Sequence, residues 1–202
     1  TDLFNFLTGY SQQLDYRKLL VAPVNLRQRI IGLIQREAEN VKQGKPARII
    51  LKANSLTDIE TIHELYKAAQ AGVKIDLIIR GICMLRPGIQ GISENIRVVS
   101  VVGRFLEHSR IYYFANGGSE EIYTGSADLM QRNLNRRVEV VTPIKDKNFL
   151  KYLKEEVLAA YLQDNVNARM LQLNGDYEKI NPLGEDDKFD SQMYFVGTDF
   201  GN

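Results

Sequence analysis

The strongest constraint in the sequence lies between residues 47 and 81, where two short apolar runs enclose one helical pattern. ARIILKAN at 47–54 reads as a buried strand, and KIDLIIRG at 74–81 reads as another. Between them TDIETIHELYKAAQAG carries a helical period, with Thr57 placed to cap it, Glu60 to complete a capping box and Gly72 to stop it. A strand, a helix and a second strand in so short a span form a βαβ unit, whose strands are expected to lie parallel. The chain is therefore expected to be α/β.

The rest of the sequence attaches to that unit. NLRQRIIGLIQREAENVKQG at 25–44 repeats Leu26, Ile30, Leu33, Ile34 and Val41 near helical spacing, with Asn25 as the expected N-cap and Gly44 as the stop. After residue 81 come strand candidates with no helix between the first three of them: IRVVSVV, SRIYYF, EIYTGS and then RRVEVVTPI. Residues 147–164 are a closing helix, with Phe149, Leu153, Val157, Leu158 and Tyr161 on its apolar side. That order predicts a mixed sheet flanked by helices. Residues 1–22, ahead of and including loose polar sequence up to Pro23, read as the remnant of a preceding domain. Residues 23–180 read as the folded domain, and the polar stretch 181–202 as a loosely docked tail.

Composition narrows the partners. With 26 basic and 25 acidic side chains the net charge is +1, so the overall balance calls for neither nucleic acid nor a membrane surface, and an anion site has to be local. A single cysteine, Cys83, leaves no internal disulfide framework and fits a reduced, cytoplasmic setting. The chain opens TDLFNFLTGY, without an initiator methionine or a secretory pattern, and reads as part of a longer polypeptide.

Ligands of parallel α/β sheets meet the carboxyl ends of the strands, which directs attention to the polar residues just beyond them. Lys52 and Asn54 follow the first strand, Arg80 follows the second, and Arg86 lies in the glycine-bearing loop RGICMLRPGIQG. Glycines let backbone N–H groups approach an anion and arginine grips phosphate oxygens in a fork; the alternative is a solvated surface turn. His108 and Arg110, two apart on a predicted strand, are expected to leave the same face. TGSADLMQRNLNRR adds Ser126, Asp128, Arg132 and Asn133 at the end of the next strand. His63 sits within the helix beside its apolar stripe and is read as structural or solvent-facing.

H-S-R at 108–110 followed by G-S-A-D at 125–128 resembles a variant of the phospholipase D superfamily signature, with Arg110 where that signature has lysine, Ala115 where it has aspartate and Asp128 where it has asparagine. The longer phrases ARIILKANSLTDIETIHELYKAAQAGVKIDLIIRGICMLRPG, SENIRVVSVVGRFLEHSRIYYF and SADLMQRNLNRRVEV are similar to the C-terminal part of the bacterial polyphosphate kinase family, a likeness running from the start to about residue 180.

The resemblance implies a phospholipase-D-like fold and a reversible transfer of the terminal phosphate of ATP to polyphosphate, with magnesium and through a phosphohistidine. That histidine is expected in an upstream domain, ahead of Thr1. Arg80 matches the family's nucleotide-phosphate arginine and His108 its second active-site histidine, so His108 is the expected catalytic residue and Arg80, His108 and Arg110 the expected nucleotide-binding ones. Arg86 and Arg132 are candidate helpers, and Asp128 would hold an arginine or the imidazole or form a purely structural ion pair. No metal ligand is expected from this chain. The expected partners are ATP or ADP, polyphosphate, the upstream domains and further copies of the intact enzyme, with no nucleic acid; peripheral contact with the inner membrane stays open. The alternatives are a superfamily phosphodiesterase, which would need a second copy of the motif, and a non-catalytic nucleotide- or polyphosphate-binding module.

Overall fold

In the computed structural model, residues 18–184 and 187–198 are described. The expected βαβ unit is present: β2 (Arg48–Ala53) and β3 (Lys74–Ile79) are parallel neighbours, joined through the helix Ile59–Gln70, which is α2 in chain order. Its cap differs from the sequence reading. Asp58, not Thr57, caps the helix by accepting from the Thr61 N–H at 3.1 Å, while Arg27 binds both Asp58 and Glu60. A carboxylate at the helix start also complements the dipole, and its burial is offset by the guanidinium from α1 (Leu26–Lys42). Asn25 does precede α1, but its side chain turns back to accept from the Val21 N–H at 2.8 Å instead of capping.

β4 (Ile96–Val101) is parallel to β3, and the crossover is made by the irregular loop 80–95 instead of a helix. β5 (Ile111–Phe114), β6 (Glu121–Gly125) and β7 (Glu139–Ile144) extend the sheet antiparallel on the other side of β2. Three short strands were not visible in the sequence: β1 (Leu20–Ala22), β8 (Ala168–Leu171) and β9 (Tyr177–Lys179). The sheet of the described residues runs β1-β7-β6-β5-β2-β3-β4-β8-β9. It is mixed, as expected. Leu20–Ala22 pair with β7, so the boundary expected at residue 22 falls inside this sheet; residues 1–17 of the segment read as a remnant lie outside the described residues.

Alternation along the strands supplies two apolar layers. Ile49 and Leu51 of β2, Leu77 of β3 and Tyr112 and Phe114 of β5 meet Ile30 and Ile34 of α1 and Leu65 of α2. Ile50, Ile78, Val99, Ile111 and Tyr113 face the other way, onto Leu158 and Tyr161 of the closing helix. That helix runs as α4 (Lys147–Tyr152), a π-helical stretch Leu153–Leu158 and α5 (Ala159–Gln163). The widened turns rotate its face, so Leu150 packs on the sheet and Phe149, expected to be apolar-facing, is exposed. Glu37, fully buried on α1, accepts from the backbone N–H groups of Arg48 and Asn116 and so ties the helix to the sheet; burial pushes its carboxyl above the usual range.

The tail also departs from the loose docking expected of it. Ser191–Gly197 form α6, which follows the short α3 (Gln131–Asn135), α4 and α5 in chain order and is capped by Asp190. Asp164, at the end of α5, accepts from the Ser191 N–H at 2.9 Å and its hydroxyl at 2.6 Å, and the Phe195 ring lies 5.2 Å from that of Tyr161. Residues 185–186 and 199–202 of the same stretch lie outside the described residues.

Candidate functional site

Because β5 runs opposite to β2 and β3, its first residue lies beside their carboxyl ends: Lys52 is paired with Ile111, and Ile111 in turn with Thr124 of β6. One end of the sheet therefore gathers Lys52 and Asn54, Arg80, the segment Glu107–Arg110 that leads into β5, and Ser126–Asp128 after β6. The turn after β6 needs Gly125, since a Cβ there would run into the Val140 carbonyl oxygen and come within 2.7 Å of Val141 Cα.

Arg110 and Asp128 are both nearly sealed from solvent. The guanidinium donates from Nε to Oδ1 at 3.2 Å and from its second amino group to Oδ2 at 2.8 Å, a bidentate fork. Asp128 also accepts from the Asn54 N–H at 2.7 Å and the Asn54 side-chain amide at 3.2 Å. Burial alone would raise the Asp128 carboxyl, but the donors from Arg110 and Asn54 outweigh it and hold the group below the usual carboxylate range. Asp128 thus holds Arg110 and not the imidazole, a pairing that fits an arginine-positioning role and a purely structural ion pair equally.

His108 and Arg110 do meet, though not as neighbours on a strand: both precede β5, and His108 is exposed. The remaining amino group of Arg110 donates to the His108 carbonyl oxygen at 2.7 Å and approaches His108 Nδ1 at 2.9 Å and Nε2 at 3.2 Å. Arginine has only N–H groups to give, so in this contact the imidazole can serve only as the acceptor, and both of its ring nitrogens lie on the Arg110 side.

Lys52, 3% exposed, ion-pairs with Glu107 at 3.1 Å, donates to the Ser109 hydroxyl at 2.8 Å and lies 4.4 Å from the centre of the Tyr161 ring. Burial depresses its ammonium, Glu107 restrains that shift, and Arg80 and Arg110 push in the same direction as burial. Arg80 is the exception in the cluster: among the described residues it has no ion pair, and one of its terminal amino nitrogens is buried without a hydrogen-bond acceptor.

The other candidates serve different ends. The Ser126 hydroxyl donates to Glu139 and Asn133 donates to the same carboxylate, a structural knot at the start of β7. Arg86 and Arg132 are exposed and line separate clefts. His63 is exposed on α2. Cys83, beyond Arg80, is half-buried and its thiol is pushed up to about 11 by burial, which leaves it inert as a nucleophile. Glu107 was missed by the sequence reading; a lysine set in an apolar strand is the signal that an opposite charge must come from somewhere. Among the described residues no group of three or more His, Cys, Asp and Glu side chains could hold a metal ion, and no helix is long and apolar enough to cross a membrane.

A mixed sheet of this topology, flanked by helices, is a phospholipase-D-like fold. The fold is shared with a phospholipase D family member from Salmonella typhimurium, at a TM-score of 0.55 and 15% identity over 77% of this chain and 97% of that one, a likeness of fold alone. The chain belongs to the polyphosphate kinase family, since residues 19–192 match the family described as polyphosphate kinase C-terminal domain 2. It is 56% identical over 97% of its length to a polyphosphate kinase of Synechocystis and 50% identical over 94% to one of Pseudomonas aeruginosa. The crystal structure of the Porphyromonas gingivalis polyphosphate kinase superposes at a TM-score of 0.89, with 40% identity over 97% of this chain and 30% of that one. This chain spans 27% of the length of those two curated relatives.

Proposed function

We propose that this chain is the C-terminal part of the catalytic region of a polyphosphate kinase, and that its strand-end cluster binds the phosphates of ATP during reversible transfer of the terminal phosphate to polyphosphate. The observation that carries the reading is Arg80, whose buried, unpartnered amino nitrogen lies in a cluster with Lys52 and Arg110. A buried donor without an acceptor is costly, and an oxygen of a bound phosphate would satisfy it.

Phosphoryl transfer asks the protein chiefly to orient the donor and to offset charge on its oxygens. Arg80 offers a charged fork. Arg110, spent on Asp128 and His108, positions the imidazole, and the exposed His108 binds a phosphate oxygen or exchanges a proton with the departing oxygen. Magnesium, which takes oxygen ligands and is commonly held through substrate phosphates, would offset charge on the nucleotide. The residues described here supply no cage of their own for it. The phosphohistidine intermediate is assigned to another part of the full polypeptide, and the full enzyme to a cytoplasmic homo-oligomer.

The test is steady-state transfer from ATP to polyphosphate by the full polypeptide. Arg80→Ala and His108→Ala are expected to lose activity while folding normally. Unchanged kcat/KM in both would remove the cluster from the reaction, and loss of nucleotide affinity with an unchanged kcat would make it a binding module only.

A further inference from the structure

We infer that Gln192, on the C-terminal helix α6, is a positioning residue for the reaction: it clamps the backbone just before His108 and so fixes where the imidazole stands. The inference rests on the phosphoryl-transfer reading above. Gln192 is 3% exposed and comes from a segment 87 residues away in sequence from the one it holds. Its amide oxygen accepts from the Phe105 N–H at 2.9 Å, and its amide nitrogen donates to the Phe105 carbonyl at 2.9 Å and to Glu107 Oε1 at 2.8 Å. A side-chain amide that takes both backbone groups of one residue imitates a strand partner, and it does so where the loop between β4 and β5 has left the sheet.

The third bond carries the clamp forward. Glu107 gives its other oxygen to Lys52, and Lys52 donates to Ser109, so the residues on both sides of His108 are pinned while Arg110 holds His108 itself. Glu107 is held from several sides: Lys52 balances its charge, Gln192 fixes the carboxylate and the chain before it, and the Tyr161 hydroxyl also meets it. The clamp is itself anchored, since Asp190 accepts from the Gln192 and Met193 N–H groups and Asp164 from Ser191. The approach is close enough to require a bare backbone opposite, because a Cβ on Gly103 would lie 2.5 Å from Gln192 Oε1. Solvation of a loop needs none of this. A buried amide with three bonds to one exposed, functional segment is a device for holding that segment still.

The experiment uses the full polypeptide and four variants: Gln192→Ala, Gln192→Glu, Met193→Ala and Arg80→Ala. Gln192→Ala should lower kcat for transfer from ATP to polyphosphate by about 10-fold or more, the scale expected when a reacting group is misplaced by a fraction of an ångström to an ångström, with a smaller change in KM for ATP. Amide hydrogen exchange in a peptide covering 102–110 should quicken while the peptide covering α2 stays protected. Gln192→Glu keeps the size and the acceptor for Phe105 but loses the donors and sets a second carboxylate against Glu107, so it should lose at least as much. Met193→Ala, altered at an exposed position of the same helix, should match the wild type. The inference is overturned if folded Gln192→Ala and Gln192→Glu turn over at the wild-type rate, or if Met193→Ala falls as far as they do, which would assign the effect to helix docking. A loss in Arg80→Ala alongside intact Gln192 variants sinks this inference alone; no loss in any of them sinks the underlying reading.

Discussion

Arg110 and Asp128 form a bidentate pair, with two hydrogen bonds of 3.2 and 2.8 Å between them and little solvent on either. The pair joins the start of β5 to the turn after β6, and the amide groups of Asn54 bring in the end of β2. Asp128→Asn leaves Arg110 charged and buried with no counter-charge, which should destabilise the domain by about 3 kcal/mol, the scale for breaking a buried pair from one side. Equilibrium denaturation of the purified domain, wild type against variant, measures it. A loss under about 1 kcal/mol would mean that solvent reaches the pair.

The same carboxylate sets an acid limit. Asp128 titrates below the usual carboxylate range in the folded state, so the unfolded chain takes up its proton first as pH falls. Its contribution is complete above the ordinary carboxylate pKa and is lost as pH drops through the lower, folded value. The stability difference between wild type and Asp128→Asn should therefore shrink below about pH 4. Denaturation curves collected between neutral pH and strong acid test this, and a difference that is constant across the range contradicts the assignment.

Arg80→Ala in the full polypeptide should reduce kcat/KM for ATP by about 2–3 kcal/mol, the value of a charge-assisted contact. Because the native side chain buries an unpartnered nitrogen, the same change should cost the unliganded protein little stability. Melting temperatures and kinetics measured on the same preparation separate the two effects.

His108→Ala should slow transfer by about 100-fold or more with an unaltered fold, as for loss of a general acid or base. The ring is exposed and carries no core packing, so a parallel fall in thermal stability and rate would return His108 to a structural role.

The isolated chain, incubated with ATP labelled at its terminal phosphate, should gain no acid-labile phosphohistidine, and the full polypeptide should. Stable labelling of His108 or His63 in the isolated chain would place the nucleophile in this domain instead.

Much of the fold was legible because it rests on period. The β2–α2–β3 unit advertises itself through continuous apolar strands around an amphipathic helix, and the resulting strand ends directed attention to Arg80 and Lys52. What escaped were features set by contact across the sheet. β1 and β9 are three residues long, too short to show alternation. The choice of Asp58 over the adjacent Thr57 as cap is made by Arg27, 31 residues away, and the rotation that exposes Phe149 comes from the π-helical turns. His108 and Arg110 were expected together for a reason of strand geometry that does not apply, since both precede the strand; their meeting is produced by the fork to Asp128, which leaves one amino group of Arg110 over for the histidine. Nothing local marks Gln192 either, because a glutamine in a polar tail looks like solvent-facing sequence until the helix that carries it is docked.

Arg80's unspent charge has a consequence for stoichiometry. Lys52 and Arg110 are already matched one for one by Glu107 and Asp128, so among the lysines and arginines of this cluster only Arg80 has a charge left to trade. A triphosphate brings several negative ones. Charge balance over such a ligand would then have to be completed from outside this cluster, by a metal ion or by further basic side chains, and the cluster on its own would hold nucleotide weakly and lose it readily as ionic strength rises.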